Sequence, residues 1–141
     1  MFTKVLVPVD LSAPGPAALS CGLARDMVDS MGSEVHLINV IPGYNMPLVA
    51  SYFPQGVQKK LKETVQQELK QLADHYFDHE PGMSVVTGKR SHEIIRMAEE
   101  WEADLIIIGC RAKASRGGER LLGSCSSQIA DRARCNVLIA R

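Results

Sequence analysis

Leu105-Ile106-Ile107-Ile108-Gly109 is the stretch on which the fold turns. Four aliphatic residues stand in a row, three of them β-branched, with no polar position to face water. Alternating polarity would mark a strand wet on one side. An unbroken run marks one buried on both faces, as in the middle of a parallel sheet. Similar runs recur along the chain: Val5 to Val9, Val35 to Ile41, the shorter Met83 to Thr87, and Asn136 to Ala140.

Between these runs the apolar spacing becomes helical. Leu19, Leu23 and Met27 recur every four residues, with Ala24, Val28 and Met31 beside them. This predicts a helix over about 15–31, stopped by Gly32. Asp10-Leu11-Ser12 offers it a cap, and Pro14 and Pro16 suit a first turn. Val57, Leu61, Val65, Leu69, Leu72 and Tyr76 mark one stripe of a long second helix. Ser91 can cap a third, whose apolar side holds Ile94, Ile95, Ala98 and Trp101. Ile129, Ala130 and Ala133 indicate a last helix over about 125–134.

The resulting order, β-α-β-α-β-α-β-α-β, predicts a single α/β domain spanning residues 1–141. It would be one open five-stranded parallel sheet with helices on both faces and right-handed crossovers. The irregular stretch after Pro42, containing Tyr44, Met46, Tyr52 and Phe53, is long for such a domain. It reads as a lid or an interface segment, or as a segment buried against the second helix.

Composition narrows the function classes. In 141 residues, 16 Lys and Arg balance 16 Asp and Glu, giving no net charge. A protein attached to nucleic acid or an anionic membrane would carry a positive surplus. No run of about 18 uncharged apolar residues occurs, so no membrane insertion is expected. The start of the chain lacks the apolar run and cleavage site of a secretory signal, so a cytoplasmic protein is expected. Cys21, Cys110, Cys125 and Cys135 are dispersed, which suits reduced thiols, with Cys21 and Cys135 as small buried hydrophobes. None of His36, His75, His79 and His92 stands in a nucleophile motif. His75 and His79 have helical metal-ligand spacing, though a solvated helix end explains them more simply.

Ligands of open α/β sheets bind beyond the carboxyl ends of the strands, near the point where strand order reverses. Pro8-Val9-Asp10, Val40-Ile41-Pro42 and the segment from Gly109 to Ser126 fall there. Gly109 would let a ligand approach closely. Gly123-Ser124 directly precedes a helix, whose free amides and dipole attract phosphate. Ser124, Ser126 and Ser127 add hydroxyl donors. Against this stands the simpler reading that Gly109 ends a strand and Ser124 caps a helix. Four of the 16 basic residues (Arg111, Lys113, Arg116, Arg120) lie within ten positions, against one acid, Glu119. That local surplus suits one small phosphate ligand rather than a polyanion. Neither GxGxxG after the first strand nor GxxxxGK[ST] is present, which argues against dinucleotide and P-loop chemistry. Asp10 serves as helix cap, ligand group, or both. Cys125, in a first helical turn, would have its thiol pKa lowered by the dipole. With Cys110 it would form a redox pair, although two small residues in a tight loop account for them more simply.

The opening Val5-Leu6-Val7-Pro8-Val9-Asp10-Leu11-Ser12, the Val35-to-Val40 strand, Asp104 to Gly109, and the close from Leu121-Leu122-Gly123-Ser124 through Ile139 resemble the universal stress protein family. The resemblance spans essentially the whole chain. It implies an adenine-nucleotide alpha-hydrolase-like fold and a homodimer formed through the last strand. The family's ATP-binding branch carries Gly-x2-Gly-x9-Gly-[Ser/Thr]. Here Gly109, Cys110 and Arg111 are followed by Ala112 where the second glycine belongs, and ten residues separate Ala112 from Gly123.

By that resemblance Pro8, Val9 and Val40 would hold adenine, and Asp10 would face the ribose or a nucleotide-bound Mg. Ile108 and Gly109 would line base and sugar, Arg111 and Ala112 would form the altered turn, and Gly123, Ser124, Cys125 and Ser126 would bind phosphates. The function implied is a small ATP-, ADP- or AMP-binding regulatory protein of the stress response, acting on an unknown protein partner by ligand-dependent signalling. The alternatives are a slow ATPase or phosphotransferase, and a nucleotide-free dimeric interaction module.

Overall fold

The computed structural model describes residues 1–43, 55–110, 113–114 and 120–141; for Gln55, Lys113, Ala114, Arg120 and Leu121 it describes the backbone alone. Five strands form the main sheet: β1 (Lys4–Pro8), β2 (Glu34–Pro42), β3 (Gly82–Gly88), β4 (Leu105–Gly109) and β7 (Asn136–Ala140). Their spatial order is β3-β2-β1-β4-β7, and every pairing is parallel. Four helices connect them: α1 (Pro14–Met31), α2 (Gln55–Tyr76), α3 (Arg90–Glu100) and α4 (Ser124–Arg132). The predicted alternation is therefore observed. A short antiparallel ladder, β5 (Lys113–Ala114) with β6 (Arg120–Leu121), falls between β4 and α4.

The unbroken apolar runs have the two-sided burial that they require. Val5, Val7, Val9, Leu105 and Ile107 face α1 and α2, where Ala17, Cys21, Ala24, Leu69 and Ala73 meet them. Leu6, Ile38, Ile106 and Ile108 face the opposite side, against Ile94 and Ala98 of α3 and Ile129 of α4. Thus α1 and α2 cover one face, and α3 and α4 the other. Strand order reverses between β1 and β4, which fixes the crevice at their carboxyl ends.

Three local expectations need correction. The buried face of α1 is Ala17, Ser20, Cys21 and Ala24, while Leu19 and Met31 are exposed. Small residues let α1 lie close to the sheet, while Leu23, Met27 and Val28 of the expected stripe pack against the core at its margin. Ser91 does not cap α3, whose N-cap is Lys89 with no side-chain cap bond. Ser91 is buried, and its hydroxyl donates to Gln128 of α4, tying the two helices together. Ala130 is exposed, on the outer side of α4. The start and stop of α1 agree with expectation: Pro14 occupies the first turn, and Gly32 (φ 68°) donates its amide to the Val28 carbonyl. The stretch from Tyr44 to Pro54 lies outside the described residues.

Candidate functional site

β1 and β4 deliver Asp10 and Gly109 to the reversal point, and α3 and α4 bring their amino-terminal turns to it. A hollow of about 330 Å³ there is lined by Asp10, Ser12, Arg90, Gly109 and the turn from Gly123 to Ser126, among others. A second hollow, of about 520 Å³, opens on the other side of Asp10 and Ser12 and is lined by Asn39, Val40, Ile41, Leu61 and Val65, among others. Asp10 and Ser12 line both. One side is apolar and the other presents donors, a division suited to a ligand with a flat apolar end and an anionic end.

Asp10 sits at this divide. Its Oδ1 accepts the Ser12 amide at 3.0 Å and the Ser12 hydroxyl at 2.6 Å, and its Oδ2 accepts Arg90 Nη1 at 3.2 Å. Burial pushes the carboxyl upward, but the Ser12 bonds and the Arg90 charge outweigh it and hold Asp10 below its ordinary value. Asp10 is not the cap of α1. The N-cap is Ala13, without a side-chain bond, because Asp10 closes its own turn onto Ser12.

Gly123 is the N-cap of α4, again without a side-chain cap bond, so Ser124 is the first helical residue rather than the cap. Ser124, Cys125 and Ser126 of the first turn line the 330 Å³ hollow, and first-turn amides have no acceptor within their own helix. A β-carbon on Gly123 would meet nothing within 4 Å. No protein neighbour requires a glycine there, and the open space remains available to a ligand. Gly109 is different. A β-carbon on it would overlap the carbonyl oxygen of Pro16, so its small size serves the packing of α1 on β4 rather than ligand approach.

Other expected residues distribute unevenly. Val40, Ile108, Gly109, Cys125 and Ser126 line one or other hollow. Pro8 and Val9 are buried in the sheet. The Val9 amide donates to the Ile38 carbonyl, and its own carbonyl accepts from the Asn39 side chain. Arg111, Ala112, Arg116 and Glu119 lie outside the described residues. The Cys125 thiol is pushed up by burial, with Arg90 opposing, which reverses the expected lowering by the helix dipole. Cys21 is buried as expected, and burial raises its thiol to about 11. Cys21 and Cys110 are buried, and Cys125 and Cys135 are partly exposed. No cluster of three or more His, Cys, Asp and Glu suited to a metal occurs among the described residues.

Arg90 escaped the sequence reading. The signal is its position just past Gly88, at the carboxyl end of β3, whereas the motifs that mark the site follow β1, β2 and β4. A third hollow, of about 380 Å³, lies near the amino ends of β2 and β3. Its Arg25 is occupied by Asp29 and Asp78, at 3.6 and 3.9 Å. The reversal point, where Asp10, Arg90 and the first turn of α4 line one hollow, is the better candidate.

A model of the universal stress protein family matches residues 1–141. The chain belongs to the universal stress protein family. Universal stress protein MJ0531 of Methanocaldococcus jannaschii is 28% identical over 148 aligned residues, covering all of this chain and 83% of that protein. A universal stress protein structure from Archaeoglobus fulgidus superposes with a TM-score of 0.72 at 20% identity, covering 100% of both chains. A structure of the Archaeoglobus fulgidus universal stress protein in complex with dAMP gives 0.66 at 17% identity, over 99% of this chain and 98% of that one. A universal stress protein in complex with cAMP gives 0.62 at 21% identity, over 99% and 97%. These likenesses establish the five-stranded universal stress protein fold. No described helix is long and apolar enough to cross a membrane.

Proposed function

We propose that this universal stress protein binds an adenine mononucleotide, ATP foremost, at the β1–β4 reversal point. The observation that carries the reading is Gly123: an N-cap with no side chain, open space where a β-carbon would stand, and a first helical turn lining the hollow that also holds Asp10 and Arg90. The dAMP and cAMP complexes of related universal stress proteins support the adenine class. The base would lie in the hollow along Val40, Ile41 and Leu61, and the phosphates over Gly123, Ser124, Cys125 and Ser126. Asp10 would face the ribose. As the one carboxylate among the described residues lining the phosphate-side hollow, it fits a Mg ion held mainly by phosphate oxygens.

The protein acts as a cytosolic regulator rather than a turnover enzyme, with the nucleotide acting on the 110–120 segment and so on the surface offered to a protein partner. Homodimerisation uses β7, an edge strand whose Val137, Leu138 and Ile139 are only half-buried. Isothermal titration with ATP and Mg, together with mass spectrometry of protein purified without added nucleotide, tests the reading. Heat of binding is expected, and its absence at millimolar ATP overturns it. Analytical ultracentrifugation tests the dimer, for which a monomer at micromolar concentration is the contrary result. Phosphate release above the protein-free blank, lost in Asp10→Ala, would favour the ATPase reading instead.

A further inference from the structure

This inference rests on the nucleotide reading above and concerns the residue that makes the site choose a charged ligand. We propose that Arg90 selects a phosphorylated over an unphosphorylated ligand, and that Asp10 holds it in reserve until that ligand arrives. Among the described residues lining the 330 Å³ hollow, Arg90 is the one cation. Helix amides accept any suitably placed oxygen, so they distinguish phosphate from a neutral hydroxyl only weakly. A guanidinium matches the geometry of phosphate and carries full charge.

The geometry allows an exchange. Arg90 holds Asp10 by one contact of 3.2 Å, and the two side chains remain 39% and 34% exposed. A half-exposed pair of this kind is weak enough for a ligand to displace. Asp10 does not depend on Arg90 for its position, since Oδ1 is fixed twice by Ser12. The guanidinium already acts on Cys125 in the first turn of α4, so its charge reaches the side where phosphate would lie. When a phosphate takes Arg90, one anion replaces another on the guanidinium and the Asp10 carboxylate is left unpaired. Oδ2 of Asp10 is then free for the ribose or Mg. Phosphate capture and release of the second ligand group become one event.

The test is calorimetric titration without Mg, using AMP, adenosine and tripolyphosphate as probes. The proteins are wild type, Arg90→Gln, Arg90→Lys and Asp10→Asn, each first checked for wild-type melting. Arg90→Gln should weaken AMP and tripolyphosphate roughly tenfold and leave adenosine unchanged, with Arg90→Lys recovering part of the loss. Asp10→Asn should bind tripolyphosphate a few-fold more tightly, because the competing carboxylate is gone. Equal weakening of AMP and adenosine, or unchanged AMP and tripolyphosphate in Arg90→Gln, overturns the proposal. Wild type that binds adenosine as tightly as AMP overturns it too and leaves the adenine reading standing. Wild type that binds tripolyphosphate but neither adenine ligand defeats the nucleotide reading, and the tripolyphosphate arm still decides Arg90. Binding of no probe overturns both.

Discussion

Gly109, the last residue of β4, lies so close to the first turn of α1 that a β-carbon on it would overlap the carbonyl oxygen of Pro16. The contact sets how near α1 can approach the centre of the sheet, where Ile107 and Ala17 share a core with Val7. It also separates two glycines of the same motif. Gly109 is required by the packing of α1 on β4, whereas a β-carbon on Gly123 would meet nothing within 4 Å.

Alanine substitution should therefore split the two positions. Gly109→Ala forces α1 or β4 to shift and is expected to cost about 1–3 kcal/mol. Gly123→Ala has a compatible backbone (φ −63°, ψ 160°) and should cost under about 1 kcal/mol, yet weaken ATP. Urea unfolding and titration calorimetry on the two variants decide this. A Gly109→Ala protein as stable as wild type would contradict it.

Removing the Asp10 carboxylate should affect binding more than folding. Asp10→Ala loses the Ser12 turn bonds and the partner of Arg90 at a half-exposed site. With Mg present, ATP affinity is expected to fall about tenfold, in proportion to one lost charged contact. Unchanged affinity would restrict Asp10 to holding its own turn.

His36 gives stability a pH dependence. Its ring lies 5.3 Å from the Trp101 ring, its Nε2 is 2.8 Å from the Ser84 hydroxyl, and Gly82 packs against it. Lys4 Nζ lies over the Trp101 ring, 5.6 Å from its centroid. Burial lowers the His36 pKa below 6.5, against the opposing pull of Glu34. The unfolded chain therefore binds the proton more readily than the native protein does. Stability is full above about pH 6.5 and declines as pH falls through the native value. Urea midpoints at pH 7.5 and 5.5 should differ, and His36→Gln should reduce the difference.

Thiol reactivity should follow burial. Cys21, fully buried and raised to about 11, is expected to resist iodoacetamide at pH 8 until the protein unfolds. Cys125 and Cys135 are partly exposed and should be labelled in the native state, slowly because burial raises their thiols as well. Peptide mapping by mass spectrometry reads the order. Native labelling of Cys21 ahead of Cys125 would reverse it.

The amino-acid sequence alone determined the five strands, the helices between them and the stop of α1 at Gly32. Runs such as Leu105 to Ile108 are informative because burial on both faces permits nothing polar, and Gly32 is informative because a helix must stop where φ turns positive. Family motifs then marked Asp10, Gly109 and the Gly123 turn. What each residue does there was decided only by tertiary structure. Arg90 meets Asp10 across 80 positions of sequence, a distance that no local period or spacing encodes. The role of Gly109 depends on Pro16, which a different helix brings to it. Local pattern reports whether a residue is buried and in which element. Which atoms face one another follows from strand order, and here the reversal between β1 and β4 brought the site together.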